Sequence, residues 1–320
     1  MLEKLKSLKN SRHFLDAFPF IILILLLIIF GIGTGGRFFA KANMTGIFNQ
    51  ALITGTATIG IAFIYTTGNL DISIGAVIAL GATIGAKLYL ASENIVVMIA
   101  VTMLVCFLLM AWNSTLSVSL HIKTTTAAIV MTQIYKAIQE SLVGAVDITV
   151  PFKTCSFLEK GPFRITTLII YLLIAIVIYN FTPFGRAIRF IGGNENCAAQ
   201  SGIRKNTYIR LSFLIAGIGV GLSSVYTIIR VGTINTTTAG SMGMDVMLAT
   251  VLGGMSIFGG NRSKCYAGVL GAITVVVLNK GLLMLGVDNS VVQGIRGVLF
   301  LILVYLNSER PDVLPTRKQF

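Results

Sequence analysis

Apolar residues occur along this chain in long unbroken runs. Phe18–Phe30 is the plainest, and comparable runs recur almost to the C-terminus. A membrane β-barrel alternates lipid-facing and lumen-facing residues at every second position, and an amphipathic surface helix keeps one polar face. The runs here do neither. A window matched to the hydrocarbon thickness of a bilayer places ten spans, at about 18–34, 44–67, 70–91, 95–118, 127–143, 165–181, 209–229, 244–258, 267–286 and 291–306. The pattern predicts an all-α, polytopic helical membrane protein with about ten transmembrane helices in one domain, 1–320. The second, third, fifth and eighth spans carry Thr, Gly, Asn or Gln, which predicts places inside the bundle or along a water-filled path.

Composition agrees with the runs: 55% of residues are apolar and 12% charged, about half the charge of a soluble domain. The net charge of +13 would suggest nucleic acid as a partner for a soluble protein. Here the charges are dispersed between apolar runs, which argues against nucleic acid and for a role in orientation beside membrane lipid. Cytoplasmic loops concentrate Lys and Arg. With the N-terminus inside, fifteen basic residues fall in inner segments, seven in outer ones, and Lys136, Lys280 and Arg296 within spans. The expected topology is N-in and C-in. Arg296 and Lys280 are expected to face the bundle interior, an interface or an aqueous cavity, or to snorkel to the membrane surface, because a charge facing lipid at mid-depth is costly. Lys280 sits too deep in its span to snorkel easily, and neighbouring Asn279 is a further polar residue within that span.

Candidate chemistry is sparse. The four cysteines form no CxxC pair, and the only histidines are His13 and His121, so neither a metal site nor a cofactor is expected. No P-loop, zinc-protease or nucleophile-elbow motif occurs, and nothing assembles into a catalytic centre. Gly31-x-Gly33-x-x-Gly36 matches a dinucleotide fingerprint in letters only, since it closes an apolar run and the next acidic residue is Asp71. Gly31–Gly35, Gly81–Gly85 and Gly217–Gly221 fit the spacing that lets helices pack closely.

Two segments stand out. In Thr66-Thr67-Gly68-Asn69-Leu70-Asp71-Ile72-Ser73, Asp71 is positioned to cap the helix that follows. That break would orient a polar stripe of Asn49, Gln50, Thr54 and Thr58, three of them at i, i+4 spacing, towards a substrate path that also includes Ser73. The second segment, 182–208, is far longer than a usual bundle connection. It reads as a cytoplasmic loop holding one short helix over Glu195–Ser201, closed by Gly202.

These residues carry a family resemblance. Asp71-Ile72-Ser73-Ile74-Gly75 resembles the D-L-S-V-G signature of ribose and simple-sugar permeases of ATP-binding-cassette importers. Phe184-Gly185-Arg186, Gly192-Gly193-Asn194-Glu195 and Ser201-Gly202-Ile203 are similar to that family's coupling segment. Val251-Leu252-Gly253-Gly254-Met255-Ser256 with Gly259-Gly260, then Asn279-Lys280-Gly281-Leu282 and Leu285-Gly286-Val287, are similar to its later motifs. Cys197 and Lys280 depart from the usual small and neutral residues, and 93–164 matches poorly.

The resemblance implies a permease subunit, not an enzyme, in the bacterial inner membrane, carrying a monosaccharide such as ribose. Nucleosides or furanose-like signals are the substrates of sister groups. It implies three kinds of partner: a cytoplasmic ATPase, as a subunit or a fused tandem pair; an extracytoplasmic substrate-binding protein; and a second permease copy or paralogue. The ATPase would meet Gly185, Arg186, Gly193, Asn194, Glu195, Cys197, Ala198, Ser201 and Gly202. An ion-driven secondary transporter is the alternative of another class. It would need an intramembrane carboxylate relay, for which Glu140 and Asp245 are the candidates.

Overall fold

The computed structural model describes residues 12–160, 162–256, 259–260 and 265–307. Among them the chain forms α1 (Arg12–Gly33), α2 (Lys41–Thr66), α3 (Ile74–Ser92), α4 (Ile95–Ser119), α5 (Thr124–Val143), α6 (Phe152–Lys160), α7 (Phe163–Phe181), α8 (Pro183–Gly193), α9 (Glu195–Gln200), α10 (Lys205–Val231), α11 (Met242–Leu252), α12 (Ala267–Met284) and α13 (Asn289–Asn307). A single turn of 3-10 helix, Arg37–Phe39, joins α1 to α2. Two short strands, β1 (Ile148–Thr149) and β2 (Thr233–Ile234), pair antiparallel with Ile148 opposite Ile234. Each predicted span overlaps a helix; the eighth does so only to Leu252, and its last two positions lie outside the described residues. Six of these, α2, α3, α4, α7, α10 and α12, are long and apolar enough to cross a membrane; Pro19–Gly33, α11 and Asn289–Tyr305 are shorter apolar stretches. The protein is an all-α, multi-pass membrane protein. Of the residues behind the charge rule, Lys4, Lys6, Lys9, Arg262, Lys264, Arg310, Arg317 and Lys318 lie outside the described residues.

Burial runs opposite to apolarity. The apolar windows of α4 and α7 are 22% buried, whereas those of α2, α10 and α3 are 83%, 78% and 72% buried, and α4 is the most apolar of the six spans. Leu104, Leu108 and Trp112 form the exposed face of α4 at four-residue spacing, where lipid replaces protein as the apolar solvent. The weakly apolar second, third and eighth spans (α2, α3, α11) do lie inside the bundle. The fifth does not: α5 buries one stripe, including Ala127, Met131 and Tyr135, and exposes Ile129, Val130, Ile134 and Ile138.

Two glycine pairs seat the same helix. A Cβ on Gly81 or Gly85 would meet Cys106 Sγ at 2.3 Å or Thr102 Oγ1 at 1.9 Å, and one on Gly217 or Gly221 would meet the Cα of Phe107 at 3.1 Å or of Met103 at 3.2 Å. Helix α4 is therefore held between the small-residue faces of α3 and α10. Gly31–Gly35 forms no such seat. Gly35 lies in the turn that ends α1, at φ +59°, with nothing within 4 Å of its Cβ position.

The segment 182–208 is mostly helical, which corrects the reading of a long loop. Thr182 caps α8 by accepting from Gly185 N–H at 3.4 Å, and Pro183 occupies its first position. Ala187, Ile188 and Ile191 are buried against the bundle, and α10 begins already at Lys205. The expected short helix is α9, capped by the Asn194 side chain and followed by Gly202 at φ +78°.

Candidate functional site: two helix breaks that meet

Helix α2 ends at Thr66 and α3 starts at Ile74; β2 ends at Ile234 and α11 starts at Met242. The two intervening breaks meet. A Cβ on Gly75 would lie 2.8 Å from Gly243 N and 3.0 Å from Ala239 O, and one on Gly243 would lie 2.9 Å from Ile72 O. The first turns of α3 and α11 thus touch backbone to backbone. Each brings the unpaired N–H groups and positive dipole end of a helix to the same region. Discontinuous helices of this kind form binding sites in transporters. Ala239, at φ +58°, holds a left-handed conformation unfavourable for a residue with a Cβ. The second break is ordered by Asn235, whose Oδ1 accepts from Thr237 N–H at 3.1 Å and Thr238 Oγ1 at 3.0 Å. Gln139 Nε2 donates to the Asn235 carbonyl at 2.8 Å.

Asp71 is the buried centre of the first break, at 0% exposure. It does not cap α3 as expected. Ser73 occupies the cap position, and Asp71 Oδ1 accepts the Ser73 N–H at 2.7 Å and the Ser73 hydroxyl at 2.6 Å. Asn113 Nδ2 donates to Ser73 Oγ at 2.7 Å, and Tyr135 OH donates to Asn113 Oδ1 at 2.7 Å. The chain of bonds ties the break to α4 and α5. Asp71 Oδ2 and the Tyr65 hydroxyl have no hydrogen-bond partner among the described residues. Asn113 and Tyr135 escape sequence reading, although an Asn inside the most apolar span is itself a signal.

A second buried carboxylate lies at the start of α11. Asp245 pairs with Arg296 of α13, and Oδ1 also accepts from Asn279 Nδ2 of α12 at 3.2 Å. Arg296 is 3% exposed, so it faces the interior as expected. Lys280 is half-buried on α12.

The predicted stripe on α2 divides. Asn49 belongs to a charged cluster near the β-strands, donating to Glu159 Oε1 at 3.2 Å and accepting from Arg164 Nη2 at 3.2 Å. Glu159 is shared with Arg230 at 3.6 Å. Gln50 is half-buried and Thr54 buried. Thr58 donates back to the Gly55 carbonyl at 2.8 Å and packs where Gly268 of α12 leaves room. Arg164, Glu159 and Arg230 were not among the sequence candidates, because their partners lie on separate helices.

At the opposite end, α8 and α9 present Arg186, Phe190, Gly193, Asn194, Glu195, Cys197, Ser201 and Gly202 on the surface, while Gly185 and Ala198 are buried beneath. A concavity of about 630 Å³ opens there, lined by Arg186, Arg189, Phe190, Gly193, Asn194 and Cys197. Lys205 pairs with Glu195 and joins α9 to α10.

Residues 43–304 match a protein family described as branched-chain amino acid transport system, permease component. The chain is 27% identical to the ribose import permease protein of Bacillus subtilis over 96% of its own length and 98% of that protein's. It is 28% identical to the D-allose transport system permease protein of Escherichia coli, over 93% of both chains. It is 25% identical to the fructose import permease protein of Rhizobium meliloti, over 94% and 88%. No solved structure matches the chain.

Proposed function

This chain belongs to the family of transport-system permease components, and on that premise we propose that it is the membrane subunit of an ATP-driven monosaccharide importer in the bacterial inner membrane. The observation that carries the proposal is the near full-length similarity to ribose, allose and fructose permeases. The interior suits an uncharged polyol: hydroxyl and amide groups line the buried helices, and the buried Arg296 is already neutralised by Asp245. The junction of the two breaks, with Asp71 and Ser73, is the central constriction of the path, and Asn49, Gln50, Thr54 and Thr58 lie along α2 on the approach to it.

The proposal includes ten crossings with both termini inside, the half-length α11 and its preceding break together counting as one. The α8–α9 face then lies in the cytoplasm. There Arg186, Asn194, Glu195 and Cys197 meet an ATPase, as a subunit or a fused tandem pair. An extracytoplasmic binding protein docks at the end carrying β1, β2 and α6. A second copy or a paralogue completes the pore. Nothing in the chain supplies a P-loop, so the energy comes from the partner.

Reconstitution in proteoliposomes with the ATPase and binding protein tests this reading. Labelled ribose should accumulate only when ATP and both partners are present. Accumulation driven by an ion gradient with no ATPase would overturn it. Cys197 should react with a membrane-impermeant thiol reagent in inverted vesicles and not in intact cells; labelling from outside would overturn the orientation.

A further inference from the structure

The last carbonyl of α2 is enclosed by glycine backbone. Gly260 N–H donates to Thr66 O at 3.1 Å. A Cβ on Gly192, near the end of α8, would lie 1.9 Å from Thr66 O and 2.5 Å from Gly260 N. One on Gly259 would lie 2.6 Å from Gly68 N. Among the described residues no flexible side chain separates these segments, so displacement of α8 against α2 acts directly on the peptide that opens the Asp71 break. Backbone-to-backbone packing of this density transmits movement instead of absorbing it.

A second grip lies one turn away on α8. Arg189 Nη2 donates to the Tyr179 carbonyl at 3.2 Å and its guanidinium stacks on the Tyr179 ring at 5.2 Å, while Tyr179 OH and Thr66 Oγ1 are 3.0 Å apart. Beyond Thr66, four residues lead to Asp71. Asn69 is anchored on the way, donating to Thr67 Oγ1 at 2.9 Å and accepting from Thr124 at 2.9 Å.

We infer that movement of α8 reaches the Asp71 break through the Thr66 carbonyl, and that Gly192 is the positioning residue for that step. The inference rests on the permease reading and adds to it a route between the ATPase-facing surface and the substrate path. Gly294 on α13 supplies a control, since a Cβ there meets nothing within 4 Å and the position lies outside both the ATPase-facing surface and the substrate path. Both glycines lie within helices, α8 and α13, so the helix geometry accepts Ala at either position.

Ribose accumulated per ATP hydrolysed is compared for Gly192→Ala and Gly294→Ala in the reconstituted transporter. Gly294→Ala should keep the wild-type ratio. Gly192→Ala should bind the ATPase and sustain hydrolysis while the ratio falls tenfold or more. A readout on the unaltered chain covers the case in which Gly192→Ala does not fold. Amide hydrogen exchange over 67–73 should change at least threefold when the ATPase binds. If the two variants share the wild-type ratio, or exchange over 67–73 is indifferent to a bound ATPase, the inference is overturned and the permease reading stands. If no ATPase binds and uptake needs no ATP, both are overturned.

Discussion

Asp71 and Asp245 are both buried carboxylates at a helix break, Asp71 within the break before α3 and Asp245 in the first turn of α11, yet they are held in opposite ways. Asp245 is paired with a guanidinium and further bonded by Asn279 and Ser241. Asp71 is held on one oxygen by two neutral groups of Ser73, and its other oxygen is buried without a hydrogen-bond partner among the described residues. The difference bears on what each can do. Separating a buried ion pair strands two charges in a low-dielectric interior, so the Asp245–Arg296 pair fastens α11 to α13 and resists movement. Releasing Asp71 from Ser73 strands no countercharge. On the proposed reading, the first is a fixture of the bundle and the second is the moving part.

The largest expected effect tests the fixture. Arg296→Leu leaves Asp245 buried without its partner and should destabilise the protein by about 3–5 kcal/mol, read as thermal unfolding in detergent. Adding Asp245→Leu should recover most of that loss. Wild-type stability of the single variant would show the pair to be idle. Next comes the moving part. Asp71→Leu should lower ribose uptake about tenfold, or roughly 1.4 kcal/mol in effective terms, at normal membrane levels. Asp71→Asn, which still accepts from Ser73, should retain most of it. Equal, near-normal uptake in both variants would remove Asp71 from the mechanism.

Two smaller effects sharpen the contrast. Lys280→Leu should insert normally and reduce uptake less than Asp71→Leu does; unchanged uptake would make Lys280 a packing residue. Tyr135→Phe removes one hydrogen bond at the far end of the Asp71 chain. It should cost about 0.6 kcal/mol, the average for such bonds inside membranes, measured by the same unfolding assay. A loss as large as that of Arg296→Leu would mean that the neutral network is as rigid as the ion pair.

The helices were legible because a span written in consecutive apolar residues needs no knowledge of its neighbours. Even α9 and its Gly202 stop could be read from local chemistry. The α8 helix was equally readable, with Thr182 and Pro183 at its start and Phe184, Ala187, Ile188 and Ile191 on one face. It was hidden by the assumption that a polar stretch between spans is a loop. Other features have no local signature. Arg296 and Asp245 are 51 positions apart, and β1 pairs with a strand contributed from beyond α10. Asp71 was identified as the residue of interest, but its bonding to Ser73 in place of the helix depends on Asn113 and Tyr135, which two other helices bring in.

The opposite ordering of apolarity and burial has a consequence for biosynthesis. A span enters the bilayer from the translocon according to its own side chains, before the final neighbours exist, and polar residues near the centre of a span oppose entry. Helix α4 can be retained by lipid alone. Helices α2 and α3, the least apolar of the six spans, emerge from the ribosome before α4 and are synthesised long before α10 arrives to cover them. Helix α3 packs on α4 and α5, which follow it directly, whereas the main partners of α2 are α10 and α12, late in the chain, so α2 is the span whose retention waits longest for its final neighbours.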